Sequence, residues 1–316
     1  MPVAPRISVV LVTDRYLTIR RVLACVSSQT ARSEIELVIV LPAGSRDAGT
    51  EAALQGFASV KYVELASILP IPSARAAGIR AASAPIVFLG ETHSFPDPHL
   101  VELLLAAHDG SWDAVVPGLS NANPQSVWSW ASFLMDYGLW HETLDAGQIS
   151  GGPTWNVAYR KSLLMEIDSR LEQALSHGDT MAVWLHERQA RAYFEPRAKL
   201  GHANVEKFGD WAEQRYLCGL IVASSRRQRW GIGKRIVYIA ASPLIVVVML
   251  NRLRPAVTKL RARKALTGGV IPALVLGTML RVAGEVVGYA RGARPDDQPR
   301  LDYFEIHKLG FTSMPL

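Results

Sequence analysis

Over the first 115 residues, short apolar runs alternate with longer stretches whose apolar residues recur at helical spacing. Residues 7–13 (ISVVLVT) are a β-branched run of the kind expected for a strand buried on both faces. Residues 15–29 place Leu17, Val22 and Val26 on a helical repeat, and residues 36–41 (ELVIVL) form a second strand closed by Pro-Ala-Gly-Ser. A short third strand is expected over 61–65 and a fourth over 85–89 (PIVFL). Between them, residues 73–83 (SARAAGIRAAS) form an Ala-rich helix with Ser73 as its expected N-cap. This rhythm predicts an α/β fold with a mostly parallel sheet covered by helices. Ligands of such sheets bind beyond the carboxyl ends of the strands, which directs attention to residues 13–15, 42–47 and 90–98.

Residues 112–202 are less regular. Val115-Val116 precede a Pro-Gly turn, a Gly151-Gly152 pair follows, and a helical run covers 179–191. Trp130, Phe133, Tyr137 and Trp140 recur at helical spacing, which reads as a packed face or, alternatively, as an acceptor wall or interfacial belt. The C-terminal part is different. Five basic residues in 226–235 precede 15 uncharged residues (236–250), six basic residues in 251–264 follow, and another 16 uncharged residues cover 265–280. Fifteen helical residues reach only about 22 Å, short of a hydrocarbon core of about 30 Å. Pro243, Pro272 and Gly268-Gly269 also interrupt these runs. Two helices that lie in, or re-enter, a membrane interface are expected, the alternative being two buried helices of a soluble domain.

Charge sharpens this division. The formal net charge is +6, yet residues 214–284 hold 13 Lys/Arg and no Asp/Glu. The remaining 21 basic and 28 acidic residues leave a net −7. An acidic body with a basic, apolar tail suits a membrane surface with anionic headgroups and argues against nucleic acid as partner. Cys25 and Cys218 form no CxxC, which speaks against a disulfide scaffold or zinc ribbon and for reduced surroundings. The N-terminal residues lack the pattern of a signal peptide. GxxxxGK[ST], HExxH and GxSxG are absent, and Gly231-Ile232-Gly233 lacks the third glycine of a dinucleotide fingerprint.

The segment Ala74-Arg75-Ala76-Ala77-Gly78-Ile79-Arg80-Ala81-Ala82, the strand over 85–89 and Gly90-Glu91-Thr92-His93 together resemble the family 2 glycosyltransferases of the GT-A fold. That family has an A-R-N-x-G-I-x-x-A helix leading into an I-x-F-L strand that ends in a D-x-D-like acidic motif. Ser28-Gln29-Thr30 and the run over 36–45 are similar to further family segments, so the resemblance covers roughly residues 5–205. It implies a nucleotide-sugar donor, a hydroxyl acceptor and a divalent cation, Mn²⁺ or Mg²⁺. It further implies that Glu91, His93 and His202 form the metal site, with Thr13, Asp14, Arg15, Ser45, Arg75 and Glu91 on the donor. Trp155 and Asn156, after the glycine pair, correspond to the acceptor border. The family's catalytic base opens a helix, and His177-Gly178-Asp179-Thr180 does so here, followed by Arg188, Arg191 and the run over 192–196 (AYFEP). Asp179 would take the acceptor proton in an inverting displacement. An N-cap role for Asp179 is the alternative.

Two positions depart from the family. Glu91 is the single carboxylate where two acidic residues are usual, and Ala43 stands where an Asp contacts the nucleotide base. The expectation is therefore a glycosyltransferase domain over 1–212 and a basic, apolar membrane-associated helical tail over 213–316. It acts on a lipid-linked or membrane-proximal acceptor at the cytoplasmic face of the cell membrane, in polysaccharide or cell-envelope assembly. The alternative is a GT-A-like protein that has lost catalysis and serves as a membrane-bound scaffolding subunit.

Overall fold

The computed structural model of the chain describes residues 4–46, 54–176, 178–266 and 268–315, without the side chains of Gly178 and Asp179. The chain forms two compact units: residues up to Ser120 with Trp140–His202, and Asn121–Leu139 with Ala203–Pro315.

In the first unit, β1 (Ile7–Val12), α1 (Tyr16–Ser27), β2 (Ile35–Pro42), β3 (Ser59–Leu65), α2 (Ile71–Ala81) and β4 (Ile86–Leu89) follow the predicted order. All six residues of β1 (ISVVLV) are buried, as expected for a strand covered on both faces. β1 pairs in parallel with β2 on one side (Ile7 opposite Ile35) and with β4 on the other (Ile7 opposite Ile86). The chain thus steps outward from β1 through β2 to β3 and then returns to the opposite side at β4. This reversal opens a crevice at the carboxyl ends of β1 and β4. Gly78 lets α2 lie close to the sheet, since a Cβ there would sit 2.5 Å from Val10 Cγ1 and 2.9 Å from Val40 Cγ2. Helix α2 begins at Ile71, two residues before the expected cap. Pro72 takes an early helical position, where its missing N–H costs nothing. Ser73 lies inside the first turn and donates to Glu172 instead (3.2 Å).

The rest of the sheet is built from β5 (Ser94–Pro96), α3 (Leu100–His108), β6 (Ala114–Asn121), β7 (Gly147–Ile149), β8 (Ala158–Arg160) and β9 (Ala192–His202). The strand order is β3-β2-β1-β4-β8-β6-β9-β5, with β7 on β9. β3, β2, β1 and β4 pair with one another in parallel, whereas β4–β8, β6–β8, β5–β9 and β7–β9 are antiparallel. In chain order, α4 (Val127–Tyr137) belongs to the second unit, and α5 (Lys161–Met165), α6 (Leu171–Ala174) and α7 (Gly178–Glu187) precede β9 in the first.

Buried Glu36, at the second position of β2, is a fastening point. Its carboxylate accepts from Ser8 Oγ, from the Ser83 backbone N–H and Oγ (both 2.6 Å), and pairs with Lys61 (2.7 Å). Burial alone would raise its pKa, but Lys61 and the serine hydrogen bonds outweigh that and hold it at about 2.

The second unit is helical. It joins α4 to α8 (Phe208–Arg229), α9 (Ile232–Ala240), α10 (Ser242–Ala262), α11 (Val270–Ala290) and α12 (Asp297–Ile306). Trp130, Phe133 and Tyr137 are buried on α4, as the packed-face reading expects, whereas Trp140 lies beyond the helix. Ser126 caps α4 by accepting from Trp128 N and Ser129 N. Trp211, Leu217, Leu220, Ala273 and Phe304 centre the core. Helices α8 and α11 approach until their backbones touch. A Cβ on Gly219 would lie 1.9 Å from Arg281 O, and one on Gly284 2.1 Å from Tyr216 O. Among the described residues, α11 is the helix long and apolar enough by itself to cross a membrane, and 44% of its apolar window is buried by the protein. Helices α9 and α10 would satisfy the same criterion together but are bent by 66° at their junction.

Candidate functional site: a Glu-His-His cluster at the carboxyl ends of the sheet

The segment that leaves β4 carries Glu91, Thr92 and His93 into the crevice beside β1 and then continues directly as β5. β5 pairs with the end of β9, Ser94 opposite His202 and Phe95 opposite Gly201. This register brings His202 to Glu91 and His93, in the segment between β4 and β5. His93 Nε2 lies 3.1 Å from His202 Nε2, and Glu91 Oε2 lies 3.6 Å from His93 Nε2 and 3.4 Å from His202 Nε2. All three side chains are buried. Two of these separations fall within the ~3.0–3.4 Å edges of a coordination shell with bonds of about 2.1 Å, and the 3.6 Å one lies slightly beyond it. One carboxylate and two imidazoles therefore suit a divalent cation in both donor type and spacing. Two imidazoles favour a transition-metal ion over Mg²⁺.

A second circle of groups holds this carboxylate. Ser94 Oγ donates to Glu91 Oε2 at 3.1 Å and Asn156 Nδ2 donates to the same oxygen at 2.6 Å. Asn156 reaches it because β8 is laid against β4: Leu89 N donates to Val157 O and Asn156 N donates to Leu89 O. Asn156 adopts a left-handed backbone (φ 59°), which Asn tolerates better than most residues. Arg75, buried on α2, places Nη2 3.9 Å from Glu91 Oε1. Its guanidinium stacks on the Trp155 ring at 3.5 Å from the centroid.

The structure thus brings Glu91, His93, His202, Arg75, Trp155 and Asn156 into one cluster. Thr13 and Ser45 line a small pocket with Tyr16, Arg46 and Tyr62. There Arg46 covers the Tyr62 ring (4.1 Å) and pairs with Glu64 (2.6 Å). Asp14 accepts from Thr18 Oγ1 (2.6 Å) and lies 3.7 Å from the exposed Arg15. Asp179 sits in the first turn of α7, and its side chain lies outside the described residues. Of the arginines that follow it, Arg188 pairs with Glu166 (2.7 Å) and Arg191 covers the Trp112 ring. Ser94, Tyr16, Arg46 and Tyr62 were not singled out from the sequence. Ser94 stands three residues after Glu91, but nothing in its spacing distinguishes it from a turn serine.

A sheet that reverses direction at β1, with a metal-competent cluster where β4 ends, defines a GT-A-type glycosyltransferase. The profile of glycosyl transferase family 2 matches residues 8–168, and the chain belongs to that family. A mannosyltransferase, PcManGT from Pyrobaculum calidifontis, solved with GDP-Man and Mn²⁺, is similar in structure. The two are 16% identical over 92% of this chain and 88% of that one, with a TM-score of 0.52, so the fold is shared. S. aureus TarS 1–349 in complex with UDP is 14% identical over 92% of this chain and 93% of that one, with a TM-score of 0.48. No curated protein matches the sequence.

Proposed function

We propose that this glycosyltransferase moves a sugar from a nucleotide-sugar donor to a hydroxyl of a lipid-linked or membrane-proximal acceptor at the cytoplasmic membrane face, with inversion at the anomeric carbon. The observation that carries the reading is the convergence of Glu91, His93 and His202 beside Arg75. Glu91, His93 and His202 would hold a divalent cation, which when bound offsets the charge of a diphosphate leaving group. Arg75 supplies a fixed positive charge to the same diphosphate, kept in place by Trp155. Thr13 and Ser45 face the nucleotide, with Asp14 and Arg15 at its rim. Asn156 keeps Glu91 oriented.

Asp179 acts as the base. Its carboxylate takes the proton of the acceptor hydroxyl as that oxygen bonds to the anomeric carbon. The bond from this carbon to the diphosphate breaks, and the nucleoside diphosphate leaves with the electron pair. One base on the far side from the leaving group suffices for an inverting displacement.

The test is a thermal-shift screen of nucleotide sugars with Mn²⁺ and Mg²⁺, followed by transfer assays on the wild type and Asp179→Asn. One donor class should raise the melting temperature only with cation present, and Asp179→Asn should slow transfer by about 10²–10⁴-fold. Equal transfer by both proteins would remove Asp179 from the mechanism, and no donor binding would favour a non-catalytic scaffold.

A further inference from the structure

The long uncharged stretches of the C-terminal part end up in opposite environments. Helix α11 buries ten of its residues, among them Leu274, Val282 and Tyr289. Helix α9 buries none, and α10 buries Leu253, Ala256 and Leu260, all in its second half. From Ile232 to Arg252, then, every residue is exposed or half-buried and none is fully buried. Six large apolar side chains of this stretch stand exposed: Ile232 (68%), Ile236 (58%), Val237 (63%), Leu244 (63%), Val247 (61%) and Val248 (45%). Leu244, Val247 and Val248 fall at helical spacing, so they form a stripe along α10. A concentrated apolar face of this kind marks an interaction surface.

We propose that α9 and the N-terminal half of α10 form a monotopic docking surface for a bilayer with anionic lipids, while α11 is a structural helix of the second unit. The proposal deepens the membrane-proximal reading given above. Three features select lipid as the occupant. The apolar stretch is bracketed by five basic residues in 226–235 and six in 251–264, with no acidic residue between 214 and 284. A second copy of the chain would set like charges against each other at this face, whereas anionic headgroups complement them. The 66° bend at Ala241, between α9 and α10, breaks the uncharged run into pieces too short to cross, so the pair enters and leaves on one side. Trp230 packs at a tilt against Tyr238 (4.6 Å, 55° between planes) and stacks on Tyr289 of α11 (5.4 Å, 11°), with Lys234 over its face at 4.1 Å. This cluster pins one corner of α9 to α11 and supplies the aromatic, polar-tipped side chains that favour a membrane interface.

The test is flotation of the full chain with phosphatidylcholine vesicles, with or without phosphatidylglycerol, alongside donor hydrolysis and size-exclusion chromatography. Anionic vesicles should bind the wild type at least about tenfold better than neutral ones. Ile236→Glu with Val247→Glu should abolish flotation, and Arg252→Gln with Arg254→Gln, Arg261→Gln and Arg263→Gln, all exposed, should remove the preference for anionic lipid. Both variants should keep donor hydrolysis and the melting temperature, because no packed residue is changed. Unchanged flotation of the glutamate variant, or its conversion from dimer to monomer without loss of flotation, would overturn the proposal. Loss of donor hydrolysis in the wild type would instead count against the transferase reading and leave the docking surface untouched.

Discussion

His93 and His202 face each other across two strands, Nε2 to Nε2 at 3.1 Å, with the Glu91 carboxylate within 3.6 Å of both. They are 109 positions apart in the chain. If the cluster holds a cation, His202→Ala should abolish the Mn²⁺-dependent rise in melting temperature and reduce transfer by more than about tenfold. An undiminished Mn²⁺ response in His202→Ala would show that the metal is held elsewhere.

The Arg75–Trp155 stack separates two roles for Trp155. If the ring positions the guanidinium, Trp155→Ala gives up roughly 1–2 kcal/mol of cation–π stabilisation and raises the KM for donor about five- to thirtyfold. Trp155→Phe should restore most of it. A rise confined to the acceptor KM would instead make Trp155 a sugar platform.

Acid should weaken the first unit through two buried groups. Burial pushes His108, which hydrogen-bonds the Ala158 carbonyl (3.2 Å), down to about 4 from its ordinary 6.5. The unfolded chain therefore binds the extra proton first, and stability falls by about 3 kcal/mol as pH drops from 6.5 to 4. Glu36, held at about 2 against an ordinary 4.5, adds a further loss in the same direction between pH 4.5 and 2. Thermal melts against pH should show a slope between 4 and 6.5 that flattens in His108→Gln.

The contact of α8 with α11 leaves no room for a methyl group. Gly219→Ala and Gly284→Ala should each cost more than about 2 kcal/mol, because the obstacle is backbone of the facing helix. Gly209→Ala, with nothing within 4 Å, should be neutral or stabilising. Urea melts of the three proteins measure the difference.

The parallel half of the site was readable in advance because its signals are local. The apolar run of β1, the Gly78 that α2 needs for close approach, and the Glu91–His93 turn after β4 each declare themselves within a few residues. His202 could be suggested only by resemblance, because its place depends on β5 pairing with the far end of β9. Glu36 appeared as the opening of a strand, and only its serine and lysine partners reveal it as a buried fastening point.

The C-terminal helices make the same division. Composition alone determined that residues 214–284 are apolar and basic, because charge and hydrophobicity are properties of the chain in any conformation. Which apolar stretch is covered is a matter of surface complementarity between helices distant in sequence. Glycines 219, 284 and 288 let α8 bury α11, whereas among the described residues no such close contact buries a side chain of α9 or of the start of α10. That assignment, like the meeting of His93 with His202, was decided only by tertiary packing, where the contacts are made between residues that the sequence keeps far apart.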